Sequence, residues 1–250
     1  MISLDEADTL DRIGPGATPV RVLGWSARSS RGKVRTRNED SWGEAHGCVF
    51  AVADGMGGAA GGQRASTLAV AGLLAADASA GWTGALRLLN DAIGRQCRAE
   101  GFPSAGSTLV AVIVDRGRCV TVHIGDSRIY RLRSGELCRV TSDHNLANLR
   151  RDEGLDPRAD DGRGGPRALT SYLGNPVPGQ RVDVGTVSAE PADRLLLCTD
   201  GIHGQMDEAT IGQLLRRGDC QEAADLLVAE ADRAGGRDNA TALVIEIGSR

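Results

Sequence analysis

Four aspartates carry the most specific chemistry in this sequence. Asp54 follows the apolar run Cys48–Ala53 and opens Asp-Gly-Met-Gly-Gly; Asp200 follows Leu195–Thr199 and precedes Gly201. Asp126 follows Val120–Gly125, and Asp238 stands with Asn239 just before Thr241–Ile245. Apolar runs of this length predict buried strands, so three of the acids come after a strand and one before. In an antiparallel sheet the end of one strand lies beside the start of the next, which predicts all four at one rim. Carboxylates gathered there repel, and one must stay protonated unless a cation sits among them. Oxygen donors with no His or Cys among them suit Mg²⁺ or Mn²⁺ rather than zinc. Asp-Gly is also ordinary turn chemistry, since glycine lets the backbone turn sharply. That reading covers any one of the four more easily than all of them.

The elements that must position these acids can be read in order. Residues 1–19 form a polar lead-in broken by Gly14-Pro15-Gly16 and Pro19, and Val20–Ser26 reads as a first strand. In Gly32-Lys33-Val34 a valine stands where a phosphate-binding loop needs Ser or Thr, so the nucleotide reading fails. The charged stretch 32–40 then reads as a solvated hairpin edge. Residues 62–80 and 83–99 read as amphipathic helices, the second with Leu86, Leu89 and Ile93 on one face. Strands follow at Thr108–Asp115, Cys119–Ile124, Arg128–Leu132 and Leu137–Val140, with turns at Gly117 and Ser134-Gly135. Residues 144–153 predict a helix and 154–167 an exposed loop. Val182–Val187 and Leu195–Thr199 are strands. Asp207 and Asp219 each cap a helix, with Ile211, Leu214 and Leu215 inward in one and Ala224, Leu227, Val228 and Ala231 in the other. The last strand is Thr241–Ile247. A helix pair, a strand meander and a second helix pair fit helices outside a two-sheet β core.

Composition narrows the function classes. The chain has 250 residues, 41% hydrophobic and 25% charged, as in a soluble globular protein. Its net charge is -4 with no basic stripe, which argues against a nucleic-acid partner. No apolar run reaches membrane-spanning length and the N-terminus lacks a signal-peptide pattern, which predicts a cytoplasmic protein. The six cysteines, at 48, 97, 119, 138, 198 and 220, show no CxxC spacing and are expected to be buried free thiols.

The ordered set of motifs resembles a known family, the bacterial metal-dependent Ser/Thr protein phosphatases of type 2C (PPM). The resemblance runs from about Val22 to Ile247. It is carried by Val34-Arg35 with Asn38-Glu39-Asp40, Ala53–Gly58, Ser107–Val110 and Gly125–Tyr130. Leu169-Thr170 with Leu173-Gly174, Thr199-Asp200-Gly201 and Asp238–Thr241 complete it. Each fragment falls at a strand edge or turn that the residue pattern already assigns.

This resemblance implies an α+β fold, a four-layer α-β-β-α sandwich of two mainly antiparallel sheets with helix pairs outside. It divides the chain into an N-terminal polar extension, 1–19, and a phosphatase domain, 20–250. It implies two tightly bound Mn²⁺ or Mg²⁺ ions and a possible third, weaker one. Asp54 would bridge the two metals, Gly55 would offer its carbonyl to one, and Asp200 and Asp238 would hold the other. Asp126 would help hold the third. Glu39 would bond metal-held water with Asp40 in support, Arg35 would clamp the phosphate, and the loop near 145–168 matches a mobile flap. Catalysis would use metal-activated water without a phosphoenzyme. The implied partners are phosphorylated proteins and a cognate Ser/Thr kinase, and the implied state is a monomer.

The sequence also departs from the family's usual pattern. Ala59 and Gln63 stand where many bacterial relatives have His and Glu, and His203 follows Gly201-Ile202 where an acid often comes shortly after. Met56 occupies the place of a His that animal members are proposed to use as leaving-group acid. Of the histidines, His203 is nearest a candidate ligand and is expected to be exposed. Two further functions remain beside the phosphatase: a catalytically weak phosphoprotein-binding regulator, and a hydrolase of a small phosphorylated molecule.

Overall fold

A computed structural model describes residues 20–79, 81–115, 118–159 and 165–249. The lead-in 1–19, the turn at Gly117 and the middle of the loop 154–167 lie outside the described residues. The strands are β1 (Val20–Ser30), β2 (Asp40–Ala45), β3 (Val49–Met56), β4 (Gly106–Ser107), β5 (Leu109–Asp115), β6 (Arg118–Ile124), β7 (Arg128–Arg133), β8 (Glu136–Arg139), β9 (Asp183–Ser188), β10 (Arg194–Cys198) and β11 (Ala240–Ser249). The helices are α1 (Ala59–Leu74), α2 (Trp82–Ala99), α3 (Leu146–Asp152), α4 (Asp200–His203), α5 (Glu208–Leu215) and α6 (Cys220–Arg233).

One sheet has the order β1-β11-β10-β7-β8, and the other the order β2-β3-β5-β6-β9 with β4 paired to β3. All of these pairings are antiparallel. The central strands are apolar throughout because both of their faces are covered. On β3, Phe50 and Val52 join the core between the sheets, while Ala51 and Ala53 pack with the residues of α1 and α2. On β10, Leu195 and Leu197 face the other sheet, and Leu196 and Cys198 lie with α5 and α6. This is the α-β-β-α sandwich implied by the resemblance. Each fully buried Leu or Phe contributes about 1.5–3 kcal/mol, so the doubly covered strands are the rigid part of the fold.

Small residues set the spacing of the helical layer. Ala65 and Ala69 of α1 face Ala51, Ala53 and Ala111, which explains a core with few aromatics. The capping aspartates behave as read: Asp207 accepts from the Thr210 N–H at 2.8 Å and Asp219 from the Glu222 N–H at 2.9 Å.

Several expectations need correction. The stretch 31–39 is no hairpin edge: it crosses from β1 in one sheet to β2 in the other. Strand β2 and the short helix α4 escaped the sequence reading, and the first helix ends at Leu74. All six cysteines are free, but Cys138 is exposed and Cys48 only half-buried. Among the described residues, no helix is long and apolar enough to cross a membrane.

Candidate metal centre

The four aspartates do meet. Asp54, Asp126, Asp200 and Asp238 line one cleft of about 290 Å³, together with Arg35, Glu39, Gly55, Met56 and Asn239. Asp54 lies inside β3, two residues before its end, rather than after it. Its N–H donates to Thr108 Oγ1 at 2.9 Å, and its carbonyl accepts from the Thr108 N–H at 2.9 Å and from Ser107 Oγ at 3.1 Å. Thr108 Oγ1 also bonds Ser127 Oγ at 2.7 Å, so the turn carrying Asp126 is tied to the strand carrying Asp54.

The glycines after the acids serve close approach rather than turning. A Cβ on Gly55 would strike the Gly62 carbonyl of α1, and one on Gly201 would strike the Asn239 carbonyl. The sharp turn before α1 is taken instead by Gly57 and Gly58, at φ 111° and 74°.

The Asn239 side chain stitches the crossover 31–39 to the start of β11. Asn239 Nδ2 donates to the Arg31 and Arg37 carbonyls at 2.9 and 2.8 Å, and its Oδ1 accepts from the Glu39 N–H at 2.8 Å. Arg35 and Glu39 are thereby held at the cleft. Arg35 Nη2 donates to Asp238 Oδ2 at 2.7 Å while its side chain stays half exposed.

Asp40 sits behind the cleft, not in its lining. It pairs across the ladder with Asp54. Its Oδ2 accepts from Thr199 Oγ1 at 2.9 Å and from Thr241 Oγ1 at 2.6 Å, joining the two sheets at the base of the site. Its Oδ1 is buried with no partner among the described residues. The sequence reading had Asp40 only in support and gave Thr108, Thr199, Thr241 and Asn239 no role of their own. Their bonds join segments up to 208 residues apart, which no local spacing announces.

His203 is not the exposed side chain expected. It is half-buried, and its ring Nε2 lies 3.0 Å from the Asp126 carbonyl. Burial pushes its pKa down to about 4, so it is neutral.

The electrostatics fit a cation site. Five carboxylates, those of Glu39, Asp54, Asp126, Asp200 and Asp238, line the cleft against the single guanidinium of Arg35. Burial, then the neighbouring acids, push Asp54 well above the ordinary range. Burial and Asp200 push Asp126 to about 7, and burial raises Asp200 and Asp40, the latter to about 7. Without positive charge these groups cannot all ionise. The oxygen-only donors, the excess of negative charge and the orphaned Asp40 oxygen suit hard divalent ions.

Comparison with known proteins agrees with this geometry. The sequence profile of the family described as Protein phosphatase 2C matches residues 29–228. The chain belongs to this family. Within the protein phosphatase 2C family it is 37% identical over 241 residues to the Serine/threonine protein phosphatase PstP of Mycobacterium tuberculosis. That match covers 90% of this chain and 45% of PstP, so the chain spans about half of that relative's length. It is 32% identical to the Serine/threonine phosphatase stp of Listeria monocytogenes serovar 1/2a, covering 88% of this chain and 94% of stp. Among solved structures it resembles the catalytic domain of PstP in complex with two manganese ions, with TM-score 0.79 and 36% identity over 92% of this chain and all of that one. It also resembles PppA of Pseudomonas aeruginosa, described as a key regulatory component of T6SS, with TM-score 0.78 and 28% identity over 94% and 99% of the two chains.

Proposed function

We propose that this chain is a metal-dependent phosphatase of phosphoserine and phosphothreonine in proteins. One observation carries the reading: five carboxylates delivered to one cleft by both sheets, with a guanidinium at its edge. The phosphatase domain extends over 20–250, beyond the matched 29–228 on both sides.

In this reading the residues divide the work. Asp54, the Gly55 carbonyl, Asp200 and Asp238 would hold two Mn²⁺ or Mg²⁺ ions, and Asp126 would serve a third, weaker one. Bound there, the ions would supply an activated water aimed at phosphorus and take up charge from the phosphoryl oxygens. Arg35 exchanges its bond to Asp238 for the substrate phosphate, whose oxygens suit its planar fork. Glu39, placed by the Asn239 bond to its own backbone, would hydrogen-bond metal-held water. Asp40 fixes Thr199 and Thr241, and through Thr199 the start of α4 with Asp200. Met56 offers no proton, and water on the Asp126 side would supply one to the departing serine or threonine oxygen.

An open cleft with one arginine suits a phosphorylated peptide better than a small phosphorylated molecule, which would call for more basic lining. The intact carboxylate set speaks against a binding module without turnover. The physiological partners in this reading are phosphorylated proteins and a cognate Ser/Thr kinase, and the protein acts as a cytoplasmic monomer.

The test is phosphate release from a panel of phosphoserine, phosphothreonine and phosphotyrosine peptides with Mn²⁺ present. Turnover of the first two far above that of phosphotyrosine is the expected result. No release from any peptide, with small phosphorylated metabolites hydrolysed instead, would overturn it.

A further inference from the structure

The net charge of -4 hides a basic patch beside the cleft. Arg31, Lys33, Arg35 and Arg37 place four cations within the stretch 31–37, and no acid comes before Glu39. All four are exposed. The stretch folds against the loop that leads into β11. The Lys33 and Val34 N–H groups donate to the Gly236 carbonyl at 2.7 and 3.2 Å. Gly236, at φ 56°, leaves room for the Lys33 stem: a Cβ there would lie 3.0 Å from Lys33 Cγ. Arg237 follows at once and is exposed too, so a fifth cation joins the group from the far end of the chain.

The protein itself uses little of this charge. Of the five cations, Arg35 is paired, with Asp238 at 2.7 Å. Among the described residues, no carboxylate lies within 4.0 Å of Arg31, Lys33, Arg37 or Arg237. The acids close by are engaged elsewhere. Asp232, beside Gly236, accepts from Ser30 Oγ at 2.9 Å, and Glu39 belongs to the cleft. Arg37 is near enough to act on Glu39: burial raises that carboxyl's pKa, and Arg35 and Arg37 pull against it. An exposed arginine or lysine standing alone means little. Here the charges share one sign, border the site, and sit on backbone that Asn239 and Gly236 hold in place.

We propose that this patch selects phosphoproteins with acidic side chains beside the phosphorylated residue. The inference rests on the phosphatase reading and names the substrate class of that site. Arg35 is the one cation in the cleft lining, where the phosphate would sit. Arg31, Lys33, Arg37 and Arg237 stand outside that lining, placed for what flanks the phosphate rather than for the phosphate itself. A side chain one or two residues away lies about 3–7 Å along an extended chain. That is within the roughly 8 Å over which exposed charges act at physiological salt. Divalent ions in the cleft would offset most of its carboxylates, so the charge of the rim decides which sequences are attracted. Val34, 66% exposed between Lys33 and Arg35, adds an apolar contact. A nucleic acid fits less well, since no aromatic residue stands among 31–39 or 235–238 for bases to stack on.

The test compares phosphoserine peptides of one length with acidic, neutral or basic flanks, using the full chain with Mn²⁺. We expect kcat/KM to fall in that order, about tenfold from acidic to neutral flanks at low salt, and the order to flatten at high salt. Lys33→Gln, Arg37→Gln and Arg237→Gln should each cost about two- to fivefold on the acidic peptide. Combined, they should remove most of the preference and leave hydrolysis of p-nitrophenyl phosphate, which has no flanks, unchanged. Affinity for the same peptides with a non-hydrolysable phosphonate, read by fluorescence anisotropy, should follow the same order. If no peptide is turned over, the phosphatase reading fails and the anisotropy series still decides the patch. Equal kcat/KM and equal affinity across the peptides would overturn the proposal, as would a preference that survives the triple substitution. So would a single-stranded oligonucleotide that binds more tightly than the acidic peptide and is lost in the triple variant.

Discussion

The floor of the cleft and its edge are built by opposite means. Asp54 and Asp200 enter from different sheets, on strands and a helix start whose neighbours are buried in three apolar clusters. Thr108, Ser107 and Thr199 fix the backbone or flanking residues there through hydrogen bonds. Arg35, in contrast, rides on a crossover that is exposed from Lys33 to Arg37, held by Asn239 and by the Lys33 and Val34 N–H groups on the Gly236 carbonyl. Rigid carboxylates suit ions that must keep one geometry, and a loosely held arginine suits a substrate that must enter and leave. The difference teaches which mutations should abolish turnover and which should only tune it.

The sharpest way to break this contrast is at the floor. Asp54→Asn or Asp200→Asn keeps size but removes charge that cations need, and should cost several orders of magnitude in kcat with the circular dichroism spectrum unchanged. Near-normal rates in both would place the site elsewhere. Asp126 comes next, because the two-ion core can be completed without it. Asp126→Ala should keep much of the activity on p-nitrophenyl phosphate, whose leaving group needs little protonation, and lose far more on a phosphoserine peptide. Equal losses on the two substrates would deny it a part in leaving-group protonation.

At the edge, Arg35→Ala removes a charged hydrogen bond to phosphate worth about 1.5–3 kcal/mol, or roughly ten- to a hundredfold in KM, with a smaller change in kcat. An unchanged KM for a phosphopeptide would make Arg35 a surface residue. The smallest effect belongs to the scaffold. Thr108→Val strands the Asp54 N–H and should destabilise by about 1–3 kcal/mol in denaturant titrations. A neutral result would mean that water replaces the threonine.

The floor was more legible in the sequence than the edge, for a physical reason. Strands covered on both faces are largely apolar, so β3, β10 and β11 announce themselves, and the acids in or beside them with them. Antiparallel pairing then forces those ends together. Strand β2, Asp-Ser-Trp-Gly-Glu-Ala, carries neither an apolar run nor clean alternation, so its crossover read as a hairpin. Helix α4 has only four residues and hid behind the Asp-Gly pair that begins it. The roles of Thr108 and Asn239 depend on contacts distant in sequence. The family resemblance named candidate site residues without any of these contacts.

The central claim is that the carboxylate cleft works only with cations in it. The most direct measurement is phosphopeptide hydrolysis by protein stripped with chelator, assayed before and during stepwise return of Mn²⁺. The account predicts no turnover in the stripped protein and full recovery as the ion returns. Full activity in a sample shown to be metal-free by elemental analysis would contradict it.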